Sequence, residues 1–225
     1  IAHSGADCAR WFMLSDSPPE RDVIWTEAGA QGAGRFIQRA WRLVDELAET
    51  AAPKGTPMPQ ALGPEATELR RAAHKALNAA AQNIEGLRFN VAVAQIYEFT
   101  NALSAALAKN EPKSGAEIKY SQDFAWALRE AAEFYVEMIG PMMPHLAEEC
   151  WARLGYNTLV ANEPWPAVEP ALLVDDQVTI AVQVNGKRRD ELVISRSAAN
   201  AEVEAAALKL EPVIRALEGR PVKKV

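Results

Sequence analysis

A chain of 225 residues, 49% apolar and 24% charged, can bury a substantial core, and its net charge of −6 argues against a uniformly basic, histone-like binder. Its only cysteines, Cys8 and Cys150, lie far apart without CxxC spacing, which argues against a disulfide framework or a zinc module and fits a reducing compartment. No apolar run approaches membrane-spanning length and no signal peptide opens the chain, so the expectation is a cytoplasmic protein without a membrane partner, read as a fragment because it starts at Ile1.

Residues 5–16 read as the end of a helix, with Ala6, Ala9, Phe12 and Met13 near one side and Trp11 and Leu14 widening it. Ser17-Pro18-Pro19 stops it, because proline disfavours helix in the residue before it and supplies no amide donor. Thr26 then suits an N-cap, and Glu27 complements the dipole of a long helix reaching to about residue 49. Phe36, Ala40, Leu43 and Leu47 make one apolar ridge of that helix, and Ile37, Trp41, Val44 and Ala48 the next. Arg35, Arg39 and Arg42 recur along one flank at i, i+4 and i+7. Gly29, Gly32 and Gly34 either weaken its first turns or permit close backbone approach.

Residues 51–64 form a proline-rich connector, read as a mobile loop. A helix follows over residues 65–86, with Leu69, Ala73, Ala76, Leu77, Ala80, Ile84 and Leu87 inward. Arg70 with His74, and Arg71 with Lys75, repeat the four-residue basic spacing. Asn90 reads as the cap of a helix burying Val93, Ile96, Tyr97, Thr100, Leu103 and Leu107. After a polar loop, a helix over residues 122–139 packs Phe124, Leu128, Ala131, Tyr135 and Ile139. Gly140-Pro141 breaks it, and Met143-Pro144-His145 opens a shorter helix carrying Leu146, Cys150, Trp151 and Leu154. Nothing so far alternates like a strand, which predicts a helical bundle.

Beyond Trp165-Pro166 the period changes to two: Val178, Ile180, Val182 and Val184 alternate with Thr179, Ala181 and Gln183. Asn185-Gly186 is a type I′ turn pair, and the chain returns through Leu192 and Ile194. An alanine-rich helix from Ala198, a short helical stretch to Leu217 and a strand-like Pro221–Val225 complete the chain. The fold class is therefore mainly α, a helical bundle followed by a small α+β domain, with regions 1–25, 26–165 and 166–225.

No catalytic set is present. His3, His74 and His145 are scattered without metal-ligand spacing, and there is no P-loop, GxGxxG or nucleophile elbow. Glu148-Glu149 reads as a solvated pair and His145 as a packing or capping residue. The cations carry more. Residues 185–225 hold nine Lys and Arg against six Asp and Glu, so the tail is about +3 and the rest about −9. Lys187, Arg188 and Arg189 follow the hairpin turn, where guanidinium groups can bind phosphate bidentately. Arg35, Arg39, Arg42, Arg70, Arg71 and Lys75 are phosphate contacts or solvated surface. A polyanion-binding domain and a non-catalytic helical protein-interaction module both remain open at this point.

Gly5-Ala6-Asp7 with Ala9-Arg10 resembles the segment that follows the ATP-site signature loop of class I aminoacyl-tRNA synthetases. Ser17-Pro18-Pro19-Glu20, Arg35-Phe36 through Trp41-Arg42-Leu43, Leu87 to Ala94 and Met143 to Trp151 resemble the leucyl family's anticodon-binding helical domain. Val182-Gln183-Val184-Asn185-Gly186-Lys187-Arg188 and Gly219 to Val225 are similar to the ends of the bacterial leucyl family's C-terminal domain. The early motifs are shared with valyl and isoleucyl relatives, so the same region of one of those is the alternative. The isoleucyl zinc module and the valyl coiled coil have no counterpart here. The resemblance implies a fragment that lacks the ATP-site motifs and the editing domain of a leucine–tRNA ligase. It implies no catalytic residue, no metal and no cofactor in this chain, with ATP and Mg belonging to the parent enzyme. The implied partner is leucine-acceptor tRNA, held by a monomer through backbone and shape recognition. Lys187, Arg188 and Arg189, with Lys223 and Lys224, would contact phosphate, and Arg35, Arg39, Arg42, Arg70, Arg71 and Lys75 would form weaker patches.

Overall fold

The computed structural model describes residues 5–110, 120–174, 177–196 and 198–217. The chain divides into two compact units, residues 1–173 and 174–225. The first therefore keeps residues 166–173, which the change of sequence period had grouped with the second.

The first unit is organised on α2 (Glu27–Thr50). Thr26 caps it, its hydroxyl accepting from the Gly29 amide at 3.2 Å. Phe36, Ala40, Leu43, Val44 and Leu47 are all buried. Against this face lies α1 (Ala6–Asp16), which buries Cys8, Trp11 and Phe12, while Met13 is 47% exposed. The inward stripe thus starts from Cys8, and Met13 is not part of it. Gly29 answers to close approach, since a Cβ there would sit 2.2 Å from the Phe12 ring. Trp11 stacks on Phe36 with ring centroids 4.6 Å apart, and its indole N–H donates to the Tyr97 hydroxyl at 3.2 Å. Helix α1 shares one core with the helices that follow.

Those are α3 (Pro64–Glu85), α4 (Phe89–Asn110), α5 (Gln122–Ile139) and α6 (Pro144–Arg153). Their periodic positions are buried, except that Ala76, Ile84 and Tyr97 are half-buried against the core, and two further expectations are corrected. Helix α4 starts at Phe89, so Asn90 sits inside the first turn and is not its cap. Leu87 is 60% exposed rather than inward. It adopts φ 54°, closing α3 in the left-handed region while the Arg88 amide reaches back to the Asn83 carbonyl at 2.7 Å.

The connector after α2, expected to be loose, is tied to the bundle at several points. The Ala52 amide donates to the Ala125 carbonyl at 2.8 Å, and Trp126 Nε1 donates to the Thr56 carbonyl at 2.9 Å. Asp123 accepts from the Gly63 amide at 2.7 Å. The buried Arg129 donates to the carbonyls of Ala52 and Leu154 at 2.6 and 2.9 Å, satisfying a backbone that would otherwise be stranded in the interior. Glu148 is likewise no free surface charge, because its carboxylate accepts from the Val160 and Ala161 amides at 3.0 and 3.1 Å. A short 3₁₀ turn (Val160–Asn162) and α7 (Pro170–Leu173) end the unit.

Glu137 on α5 faces a cavity of about 280 Å³ shared with Glu148, Glu163 and Trp165. Burial, then repulsion from Glu133 and Glu163, pushes its carboxyl up to about 8. The folded chain therefore keeps a proton that the unfolded chain releases near the ordinary carboxylate range. Stability falls as pH rises from that range to about 8 and is level above it. Glu137→Gln is expected to gain about 1–2 kcal/mol over the native chain at pH 8.5 and almost nothing at pH 4.5. Urea unfolding at the two pH values checks this, and an equal change at both would contradict it.

In the second unit, β1 (Gln177–Val184) pairs antiparallel with β2 (Lys187–Ser195). Asn185 and Gly186 take φ of 52° and 75°, both positive as the type I′ turn requires. Helices α8 (Asn200–Ala207) and α9 (Glu211–Leu217) follow, and Val213 and Leu192 are buried. The strand expected over 221–225 lies outside the described residues.

Candidate nucleic-acid interface

Helix α2 holds its cations on a rigid rod of 24 residues. Arg35 and Arg42 are exposed and Arg39 is half-buried. Arg42 Nε donates to the Gln38 carbonyl at 3.2 Å, one turn back on its own helix. Among the described residues, no carboxylate pairs with any of the three. Beside them runs an open groove of about 420 Å³ lined by Ile37, Gln38, Trp41, Arg42 and Leu146. It adjoins a second hollow of about 680 Å³ that includes Asp7 and His145. There Asp7 accepts from the Leu146 amide at 2.8 Å, capping α6, and its other oxygen lies 2.8 Å from His145 Nδ1. Capping thus falls to Asp7, and His145 holds the cap from an exposed position.

The α3 set divides. Arg70 is buried, and its place among the phosphate contacts is corrected. Its Nε and Nη2 donate to the two carboxylate oxygens of Glu130 at 2.7 and 3.0 Å, and Nη2 also donates to Glu169 at 2.9 Å. The hydrogen bond to Glu130 holds the guanidinium more firmly charged, against the opposing effect of burial. Burial likewise opposes ionisation of Glu130, yet the nearby His74 ring and the hydrogen bonds from Arg70 outweigh it and keep the carboxyl below its usual range. Arg71 and Lys75 are half-buried, and both already take part in interactions within the fold.

In the hairpin, Lys187, Arg188 and Arg189 are all exposed. The register explains how three consecutive residues can be. Gln183 pairs with Arg188 and Val182 with Asp190, so Arg189 is the extra residue of a β-bulge. A bulge interrupts the strict alternation of strand faces. Arg188 is ion-paired with Glu191. Among the described residues, Lys187 and Arg189 have no carboxylate partner. Arg196, exposed at the far end of β2, is a further cation that the tripeptide signal did not single out. Lys223 and Lys224 lie outside the described residues.

The described residues contain no group of three or more His, Cys, Asp or Glu able to hold a metal, and no helix among them is long and apolar enough to cross a membrane. Their distinctive chemistry is the unpaired surface cations.

A family model described as the anticodon-binding domain of tRNA ligase matches residues 66–205. The leucine–tRNA ligase of Parvibaculum lavamentivorans is 56% identical over the whole chain, and that of Methylocella silvestris 53%. The chain spans about a quarter of the length of these curated relatives, 25% in both cases. A crystal structure of Agrobacterium radiobacter K84 agnB2 LeuRS, solved as a ternary complex with tRNA and LeuAMS, superposes with a TM-score of 0.72 at 25% identity. That match covers 98% of this chain and 27% of the crystallised one. The matched model takes in the hairpin and most of the bundle from α3 onward, more than half of the sequence, and the chain belongs to the family of anticodon-binding domains of tRNA ligases.

Proposed function

We propose that the chain is the tRNA-holding part of a leucine–tRNA ligase, a parent enzyme that joins leucine to its tRNA at the expense of ATP. The supporting observation is that Arg35, Arg42, Lys187 and Arg189 stay solvent-facing without carboxylate partners among the described residues, although acidic residues outnumber basic ones, 30 to 24, in the sequence. A surface cation left unpaired in such a chain remains available to a polyanion. Backbone contact fits RNA, whose A-form helices hide their base edges from side chains. ATP and Mg act elsewhere in the parent. The parent works as a cytoplasmic monomer.

Filter binding of the chain to a leucine-tRNA transcript across a salt series tests the reading. Lys187→Ala with Arg189→Ala is expected to reduce the salt slope by about 1–2, and Arg35→Ala with Arg42→Ala by about 1. A tRNA without a long variable arm should bind more weakly. Slopes unchanged in both variants, with equal weak binding of the two RNAs, would replace this reading with that of a protein-interaction module.

A further inference from the structure

Once Arg70 is removed from the surface, its role has to be sought where it points. Its guanidinium holds Glu130 on α5 and Glu169 in the segment that leaves the bundle. One turn along α3, the buried His74 accepts the Glu169 amide on Nδ1 at 3.1 Å. With Nδ1 accepting, the proton of a neutral imidazole sits on Nε2, which lies 3.5 Å from Glu130. Phe134 packs edge-on against the same ring, and Leu172 of α7 is buried. Glu169 is therefore gripped by side chain and backbone alike, although its carboxylate is 48% exposed. Three residues, 174–176, separate the end of α7 from the start of β1.

We propose that Arg70 and His74 form a strap that pins the 166–173 segment to the bundle and so shortens the connection to the hairpin unit. Its effect is to raise the local concentration of the hairpin cations at an RNA already held by the bundle. This rests on the tRNA-binding reading above. With the strap closed, three residues link α7 to β1; with it open, about a dozen are free. Effective concentration falls roughly as the −3/2 power of linker length, so opening is expected to weaken RNA binding about five- to tenfold. Arg70 and His74 are thus positioning residues and touch no RNA.

The test uses the full chain and a leucine-tRNA transcript. Glu169→Ala with Leu172→Ala removes the ion pair and the apolar anchor while leaving the Arg70–Glu130 pair in place. It is crossed with Lys187→Ala, Arg188→Ala and Arg189→Ala. The strap variant should lose five- to tenfold in affinity when the hairpin cations are present and less than twofold when they are absent. Equal losses in both backgrounds would overturn the proposal, since a local or general destabilisation does not depend on the hairpin. No loss, or a gain, would overturn it too. Amide exchange at 168–173 separates the two levels of the argument. Unchanged exchange in the variant refutes the strap itself, even if RNA binds. Accelerated exchange with no RNA binding by the native chain instead refutes the tRNA-binding reading, and the proposed role with it.

Discussion

Arg70→Ala is expected to destabilise the chain by about 3–5 kcal/mol, read from the urea midpoint, without reducing the salt slope of RNA binding. Deleting the guanidinium leaves Glu130, whose side chain is 14% exposed in the native fold, without its bidentate partner. A desolvated charge deprived of its counter-charge costs far more than an exposed pair, which is commonly worth under about 1 kcal/mol. The guanidinium also lies over the Trp126 ring, 5.3 Å from its centroid, so packing is lost with the charge. Replacing Arg70 and Glu130 together by methionine should recover most of the loss, because no buried charge is then left unpaired and Glu169, which also loses its partner, is half-exposed. A cost below about 1 kcal/mol for the single substitution would mean that water reaches Glu130 freely.

Trp11→Ala should cost a similar 3–5 kcal/mol by the same assay. The indole is 1% exposed and touches both α2 and α4, through Phe36 and Tyr97. Its loss opens a cavity beside Phe36 and Tyr97 and removes the hydrogen bond to the tyrosine hydroxyl. Trp11→Phe keeps the stacking and should cost only about 1–2 kcal/mol, which separates the ring from its polar handle. If alanine proved tolerable, α1 would have to be an appendage rather than a member of the core.

The two outcomes mark where sequence patterns inform and where they stop. The first ridge of α2 and the apolar face of α5 were legible because burial repeats with the helical period, and Phe36, Leu43, Leu47, Phe124, Leu128 and Tyr135 all lie in the core. The hairpin was legible because Asn185-Gly186 tolerates positive φ where most pairs do not. Arg70 was misread because spacing along α3 describes only α3, whereas its partners are 60 and 99 residues away. The same limit concealed Arg129, whose partners are the carbonyls of a connector that looks loose by composition. In the candidate site, the α2 stripe and the Lys187–Arg189 run could be read directly, since exposure of a charge is the default. Which of those cations would find an intramolecular partner, as Arg188 does in Glu191, depends on register and was not visible.

Both thiols of the molecule are interior. Cys8 donates to the Ala30 carbonyl, and Cys150 is pushed up to about 12 by burial and by the neighbouring Glu149 carboxylate. Since the thiolate is the nucleophile, neither group should react with maleimide while the fold is intact. A single cysteine introduced on the solvent side of α2 or in the hairpin would then take a fluorophore or crosslinker at one defined place, with the native pair left untouched.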